Sequence, residues 1–152
     1  DKDTIHVMNN HLKCCGDGIL EYNNSNDEEF RRFSSMNAVK NHIDSNYNNK
    51  NVIILGDLND EIHEIENNVF INMINDSLNY YVTDISIAEG SPTYWSYPSW
   101  PSHLDHIIIT NELFDFFDKS TGINTILVES YFDDNLYEYR QTISDHRPVL
   151  LD

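Results

Sequence analysis

The sequence predicts an α/β fold built on a mixed sheet, and three observations carry that reading. First, Val52-Ile53-Ile54-Leu55 is an unbroken apolar, mostly β-branched run, the pattern of a strand covered on both faces. Second, an alternating stretch from Thr4 to Leu12 precedes it, with a helix-periodic segment between the two. Strand, helix and strand in that order form a crossover unit, whose two strands run parallel. Third, two later runs, Ile107-Ile108-Ile109 and Val149-Leu150-Leu151, carry their polar residues at the start instead of the end. Strands antiparallel to the first pair would show that reversal.

Along the chain, Thr4 to Leu12 alternates Ile5 and Val7 with His6 and Met8 and closes on His11-Leu12-Lys13. Cys14 to Asn26 is rich in Gly, Asp and Asn and reads as a loop, with Ser25 and Glu28 spaced as a capping box. In the helix that follows, Phe30, Phe33, Met36, Val39, Ile43 and Tyr47 recur every three or four residues and form a core stripe, leaving Arg31, Arg32, Asn37 and Lys40 off it. Asn46 to Lys50 ends the helix, and the strand after it stops at Gly56, just before Asp57 and Asn59. Val69, Phe70, Met73 and Ile74 are spaced for a short helix within 67–78, and 80–88 reads as a strand.

Glu89-Gly90-Ser91-Pro92 is a turn, and Thr93 to Pro101 is aromatic and broken by prolines. Its rings either wall a ligand cleft or plug a sheet edge. A strand follows over 102–110, then a helical turn at 111–117, a strand over 123–131 and a polar connector over 133–141. The final strand is preceded by Ile143-Ser144-Asp145-His146-Arg147.

Composition bounds the function. The 152 residues suit one domain, and 39% hydrophobic content supports a real core. Twenty-six acidic against nine basic residues give a formal charge of -17, which opposes unaided binding to a phosphate backbone and makes cations the natural partners. No apolar run approaches the ~20 residues of a membrane span, and Asp1-Lys2-Asp3-Thr4 has no apolar signal core. Cys14 and Cys15 are adjacent, so they are free thiols or pair with groups outside the chain.

If the late strands run antiparallel to the early ones, the polar ends of all four meet at one edge. His11, Asp57, Asn59, Asp105, Asp145 and His146 then share a crevice. Each has an ordinary explanation alone: Asp57 and Asn59 an Asx turn, Asp105 a cap, Asp145-His146 a surface dipeptide. Four clusters at the correct strand ends favour an active site.

The series Asn9-x-His11-Leu12, Gly56-Asp57-Leu58-Asn59, Leu104-Asp105-His106 and Ser144-Asp145-His146-Arg147-Pro148 resembles the endonuclease/exonuclease/phosphatase superfamily of deoxyribonuclease I-like enzymes. The resemblance runs through residues 1–152 but covers only the C-terminal part of that family's domain, a four-layer α/β sandwich of two packed mixed sheets with outer helices. It implies that the N-terminal half of the same domain is missing here, with an Asn and a metal-binding Glu, so that the isolated fragment would be inactive. An apolar sheet face left for that half should be exposed.

The resemblance also implies a divalent-metal-dependent phosphoesterase, nuclease-like, acting on a phosphodiester or phosphomonoester, with nucleic acid one candidate partner. Asp57 would position and deprotonate water, Asn59 would bond a non-bridging oxygen, and Asp105 would orient a protonated His146. His11 would hydrogen-bond the phosphate or act as general acid. Asp145, with Asp57 and Asn59, would hold Mg²⁺ or Mn²⁺. Asn9, Trp100 and His103 are the expected substrate contacts. Arg147 invites a phosphate role, against a packing or salt-bridge role. Two other classes stand beside this: a catalytically inactive relative used for binding or scaffolding, and a transition-metal protein built on His6, His11, His103, His106 and His146.

Overall fold

A computed structural model describes residues 4–117 and 122–152. Its main sheet has four strands in the order β1-β2-β4-β3: β1 Ile5–His11, β2 Asn51–Asp57, β3 Tyr80–Val82 and β4 Asp105–Thr110. The first two pair in parallel, joined by α1 (Glu28–Asn46), as the crossover requires. Strand β4 runs antiparallel to β2 and to β3. A second, two-stranded antiparallel sheet joins β5 (Ile123–Thr125) to β6 (Val149–Leu151). Two packed sheets flanked by helices make this an α/β sandwich-like arrangement.

The pleat of β2 divides the core. Val52 and Ile54 are wholly buried on one face, with Met36 and Ile43 of α1 and with Ile108. Ile53 and Leu55 point the other way and pack with Ile107 and Ile109 against Ile123, Val149 and Leu151 of the second sheet. Each such side chain, fully buried, contributes roughly 1.5–3 kcal/mol. On edge strand β1, the same outward row leaves Ile5 and Val7 at 53% and 58% exposure, an uncovered apolar surface.

Gly56 is required where it stands. Its φ is +126°, and a Cβ there would fall 1.9 Å from the Asn10 carbonyl oxygen. The close approach of β1 to β2 brings their polar ends together.

Several elements differ from the sequence expectation. The cap of α1 is Asp27, whose carboxylate accepts from Phe30 N at 2.6 Å and from Glu21 N at 3.2 Å. Ser25 lies ahead of the turn, so the expected capping box does not form. The helix expected within 67–78 is confined to α2 (Ile71–Ile74), because Asn68 Oδ1 takes Phe70 N at 2.8 Å and holds the chain in a turn before it. The strand expected over 80–88 stops at Val82. There Thr83 Oγ1 donates to Ile107 O at 2.8 Å and Asp84 Oδ1 accepts from Ile107 N at 2.8 Å. Side chains thus take over the ladder, and the chain turns into α3 (Ile85–Ala88). Beyond β5 the chain folds into a 3₁₀ turn, Val128–Phe132. The expected connector contains α4 (Leu136–Thr142), capped by Asn135 and anchored by the buried Tyr139.

Candidate active site

Strand register assembles the site. In the β1–β2 ladder His11 is the partner of Asp57, and in the β2–β4 ladder Asp57 is the partner of Asp105. Three polar side chains therefore line up across three strands on the face toward the second sheet. His146 enters from the segment before β6. Its Nδ1 lies 2.7 Å from Asp105 Oδ2, and its Nε2 3.8 Å from Asp57 Oδ2. His11 Nε2 stands 3.5 Å from the same Asp57 oxygen.

The surroundings fix this geometry. Tyr97 packs on the His146 ring at 4.8 Å between centroids, and Tyr139 Oη donates to His146 O at 2.5 Å. Arg147 N donates to Ser96 O at 2.7 Å, while the fully buried Ser96 Oγ accepts from Leu104 N and Asp105 N, each at 3.1 Å. Ser96 thus ties the two segments that carry Asp105 and His146. Asn59 adopts a left-handed φ of 55°, and its N–H donates to Asp57 Oδ1 at 3.1 Å. One amide hydrogen of Asn59 goes to Leu12 O at 3.1 Å.

The carboxyls divide in behaviour. Burial pushes the Asp105 carboxyl up, but hydrogen bonds from His146 and Ser96 outweigh it and hold the group below its usual range. The hydrogen bond to Asp105 raises the His146 imidazole, against a smaller opposing effect of burial. Asp57 is raised, first by burial and then by the charge of Asp105. A base that holds its proton more readily and an imidazole that stays charged are a usable acid–base pair.

These groups open on a cleft of about 910 Å³. Its lining includes His11, Asp57, Asn59, Asp145, His146, Tyr97 and Trp100, and with them Glu29, Arg32, Asp60, Glu61 and Glu64. Among the latter, burial, helped by the charges of Asp60 and Glu61, pushes the Glu64 carboxyl up to about 7. Buried Arg32 anchors this region, its Nε 2.8 Å from Asp60 Oδ2 and its Nη1 donating to Lys13 O and Cys15 O at 2.8 and 2.7 Å.

Among the described residues, Asp57, Asp105 and His146 each offer a ligand atom within 4.8 Å of the others, close enough to share a divalent ion. Asp145 lines the cleft outside that group, and Asn9 lies on the exposed row of β1 beside Gly56. Trp100, 78% exposed, is on the rim.

His103 is corrected: it is wholly buried, its Nε2 2.9 Å from Asp84 Oδ2 and its Nδ1 accepting from Ser96 N, and cannot contact substrate. His106 shares the same Asp84 oxygen at 2.6 Å and bonds Asp60 O at 2.8 Å. His6 packs on Tyr47. Among the described residues the five histidines do not share one site: His103 and His106 meet at Asp84, His11 and His146 approach Asp57, and His6 stands apart from both.

Sequence reasoning missed Ser96, Tyr97, Tyr139 and Asp84 as supports. Only the aromatic run around Tyr97 gave a signal, and it did not distinguish cleft wall from edge plug.

No model of a known protein family matches the chain, and no curated protein does. Among solved structures, it is similar to the human Nocturnin catalytic domain with bound sulfate anion, at 16% identity and a TM-score of 0.40. That similarity covers 82% of this chain, which spans 41% of the other.

Proposed function

We propose that this chain belongs to a divalent-metal-dependent phosphoesterase, nuclease-like in attacking a phosphodiester. The observation that carries the reading is Asp105, Asp57 and His146 joined at one open cleft, with the two carboxyls shifted in opposite directions. The motif series resembling the endonuclease/exonuclease/phosphatase superfamily supports it. The exposed Ile5 and Val7 support reading the chain as part of a larger domain of that type.

The donor set fits a hard cation. Burial raises Asp57, and the charge of Asp105, which faces it across the strand pair, adds to that; a divalent ion offsets such crowded negative charge. Asp57 and Asp145, with Asn59, would hold Mg²⁺ or Mn²⁺, which supplies neutralisation of phosphate oxygens.

The chain's own residues divide the remaining work. Asp57 orients a water and accepts its proton. His146, kept protonated by Asp105, directs Nε2–H at the charge developing on phosphorus-bound oxygen. The second amide hydrogen of Asn59 serves a non-bridging oxygen, and His11, as general acid, gives a proton to the leaving oxygen as its bond to phosphorus breaks. The acidic lining of the cleft disfavours long duplex polyanions, so short or single-stranded phosphodiesters suit it better.

The test assays the full-length protein with Mg²⁺ or Mn²⁺ on bis-p-nitrophenyl phosphate, a single-stranded oligonucleotide, plasmid DNA, inositol phosphates and sphingomyelin. Turnover abolished by EDTA supports the reading. Cleavage of none by a folded protein overturns it and leaves a binding or scaffold domain.

A further inference from the structure

The loop 14–26 folds back over the start of α1, and part of it lines the cleft. Three carboxylates meet there: Asp17 in the loop, Asp27 at the helix cap and Glu29 in the first turn, each offering one oxygen within 4.8 Å of the others. A cluster of acids is ordinary on a surface, but Glu29 is not on the surface. Its side chain is only 2% exposed. Oε1 accepts from Gly18 N at 2.7 Å and lies 3.3 Å from Arg32 Nη2. Oε2 is sealed from solvent and has no hydrogen-bond donor. A buried carboxylate oxygen without a partner costs free energy of a kind native structures rarely leave unmet.

Arg32 does not meet it. Its Nη2 pairs with the other oxygen, Oε1, while its Nε and Nη1 go to Asp60 and to the Lys13 and Cys15 carbonyls. Asp27, also buried, and Asp17 each give an oxygen to backbone N–H groups, of Glu21 and Phe30 and of Ile19. Those bonds hold the carboxylates in place without neutralising them. The loop closes tightly onto Glu29: at Gly16, φ +113°, a Cβ would fall 2.1 Å from Oε1.

We propose that Asp17, Asp27 and Glu29 form a binding site for a divalent cation, with Ca²⁺ the best fit. Ca²⁺ takes 6–8 oxygens at ~2.3–2.6 Å in flexible geometry, drawing on carboxylates, loop carbonyls and water. Oxygens within 4.8 Å of one another fit inside one such shell. Mg²⁺, which demands near-octahedral geometry at ~2.0–2.1 Å, suits an irregular loop less well. The site shares Glu29 with the lining of the cleft but none of the residues proposed for catalysis, and it is independent of the phosphoesterase reading. Its occupation fixes the loop that carries Cys14 and Cys15 onto the cleft rim.

Equilibrium dialysis with ⁴⁵Ca²⁺ on the chain, made calcium-free, tests this. Asp17 is exposed, and Asp17→Asn keeps the oxygen that accepts from Ile19 N, so this variant folds, with circular dichroism as the check. Wild type takes up one more Ca²⁺ than Asp17→Asn, whose affinity falls by about tenfold or more with loss of a charged ligand. Glu29→Gln loses the same equivalent, and Glu138→Gln, at an exposed acid of α4, keeps it. No uptake at millimolar Ca²⁺, or identical isotherms for wild type and Asp17→Asn, overturns the proposal.

Discussion

Asp57 and Asp105 face each other as partners across β2 and β4, yet the imidazole is shared unequally between them: His146 Nδ1 lies 2.7 Å from Asp105 and Nε2 3.8 Å from Asp57. On the proposed function Asp105 is the orienting carboxylate and Asp57 the base. The expected pH behaviour follows from the hydrogen bond that raises His146. In ¹⁵N NMR the His146 ring should titrate above the ordinary ~6.5 of an imidazole. Asp105→Asn should move that titration down. An unchanged midpoint in the variant would show that Asp105 does not hold the proton on the ring.

Removing the donor should matter more than removing its orienter. His146→Ala deletes the group aimed at the developing charge and should lower kcat by roughly 10²–10³. Asp105→Asn leaves an imidazole in place, held by Tyr97 and the Tyr139 bond, and should lose less. Steady-state kinetics of both variants in the full-length protein decide it; wild-type turnover by His146→Ala would refute the assignment.

Arg147, one residue on, should behave differently. It is buried, pairs through Nη2 with the buried Glu129, and donates from Nη1 to Thr93 O at 2.8 Å and Trp95 O at 3.1 Å. Every one of these partners is structural. Arg147→Ala should therefore cost about 3–5 kcal/mol in urea unfolding, the expected scale for stranding a buried carboxylate. A variant that kept wild-type stability but lost phosphate affinity would restore the phosphate role to this residue.

The thiols at the rim offer a fourth check. Cys14 and Cys15 are free and exposed, with sulfurs 2.8 Å apart. The hydrogen bond from Cys15, aided by Lys13, lowers the Cys14 thiol, while the same bond raises Cys15. The thiolate is the reactive form. Iodoacetamide at neutral pH should thus label Cys14 first in peptide-mapped mass spectra, and faster labelling of Cys15 would count against this arrangement.

How much of this was legible depended on the range of the interaction. The buried run of β2, its stop at Gly56 and the crossover from β1 are local patterns, and together they place His11 beside Asp57. The reversed polarity of the residues before Ile107 likewise placed Asp105 opposite Asp57. His103 misled because it adjoins Leu104-Asp105, and its real partner, Asp84, lies in a segment that reads as strand until its side chains capture Ile107. Arg32 read as an outward-facing charge off the core stripe. Its burial depends on Asp60 and two loop carbonyls distant in sequence, which no periodicity reports. Helix α4 was missed because seven residues are too few for a stripe to show.

The buried Asp84 network yields the last prediction. Burial alone would push the Asp84 carboxyl up, but His106 and His103 outweigh it and hold the group well below its usual range. Burial likewise opposes charge on His106, and Asp84 overcomes it, so that imidazole is raised. A depressed carboxyl contributes stability that is present above its unfolded value, ~3.9, and lost as pH falls through the folded one. A raised imidazole contributes stability that is present below its unfolded value, ~6.5, and lost as pH rises through the folded one. Both contributions are full between about pH 4 and 6.5. Asp84→Ala strands His103, His106 and Ile107 N at once and should cost about 3–5 kcal/mol. The deficit against wild type in urea unfolding should be largest near pH ~5.5 and shrink toward pH ~8 and toward strong acid. A deficit that stays constant across that range would show that Asp84 acts as a neutral hydrogen-bond acceptor and not as half of a buried ion pair.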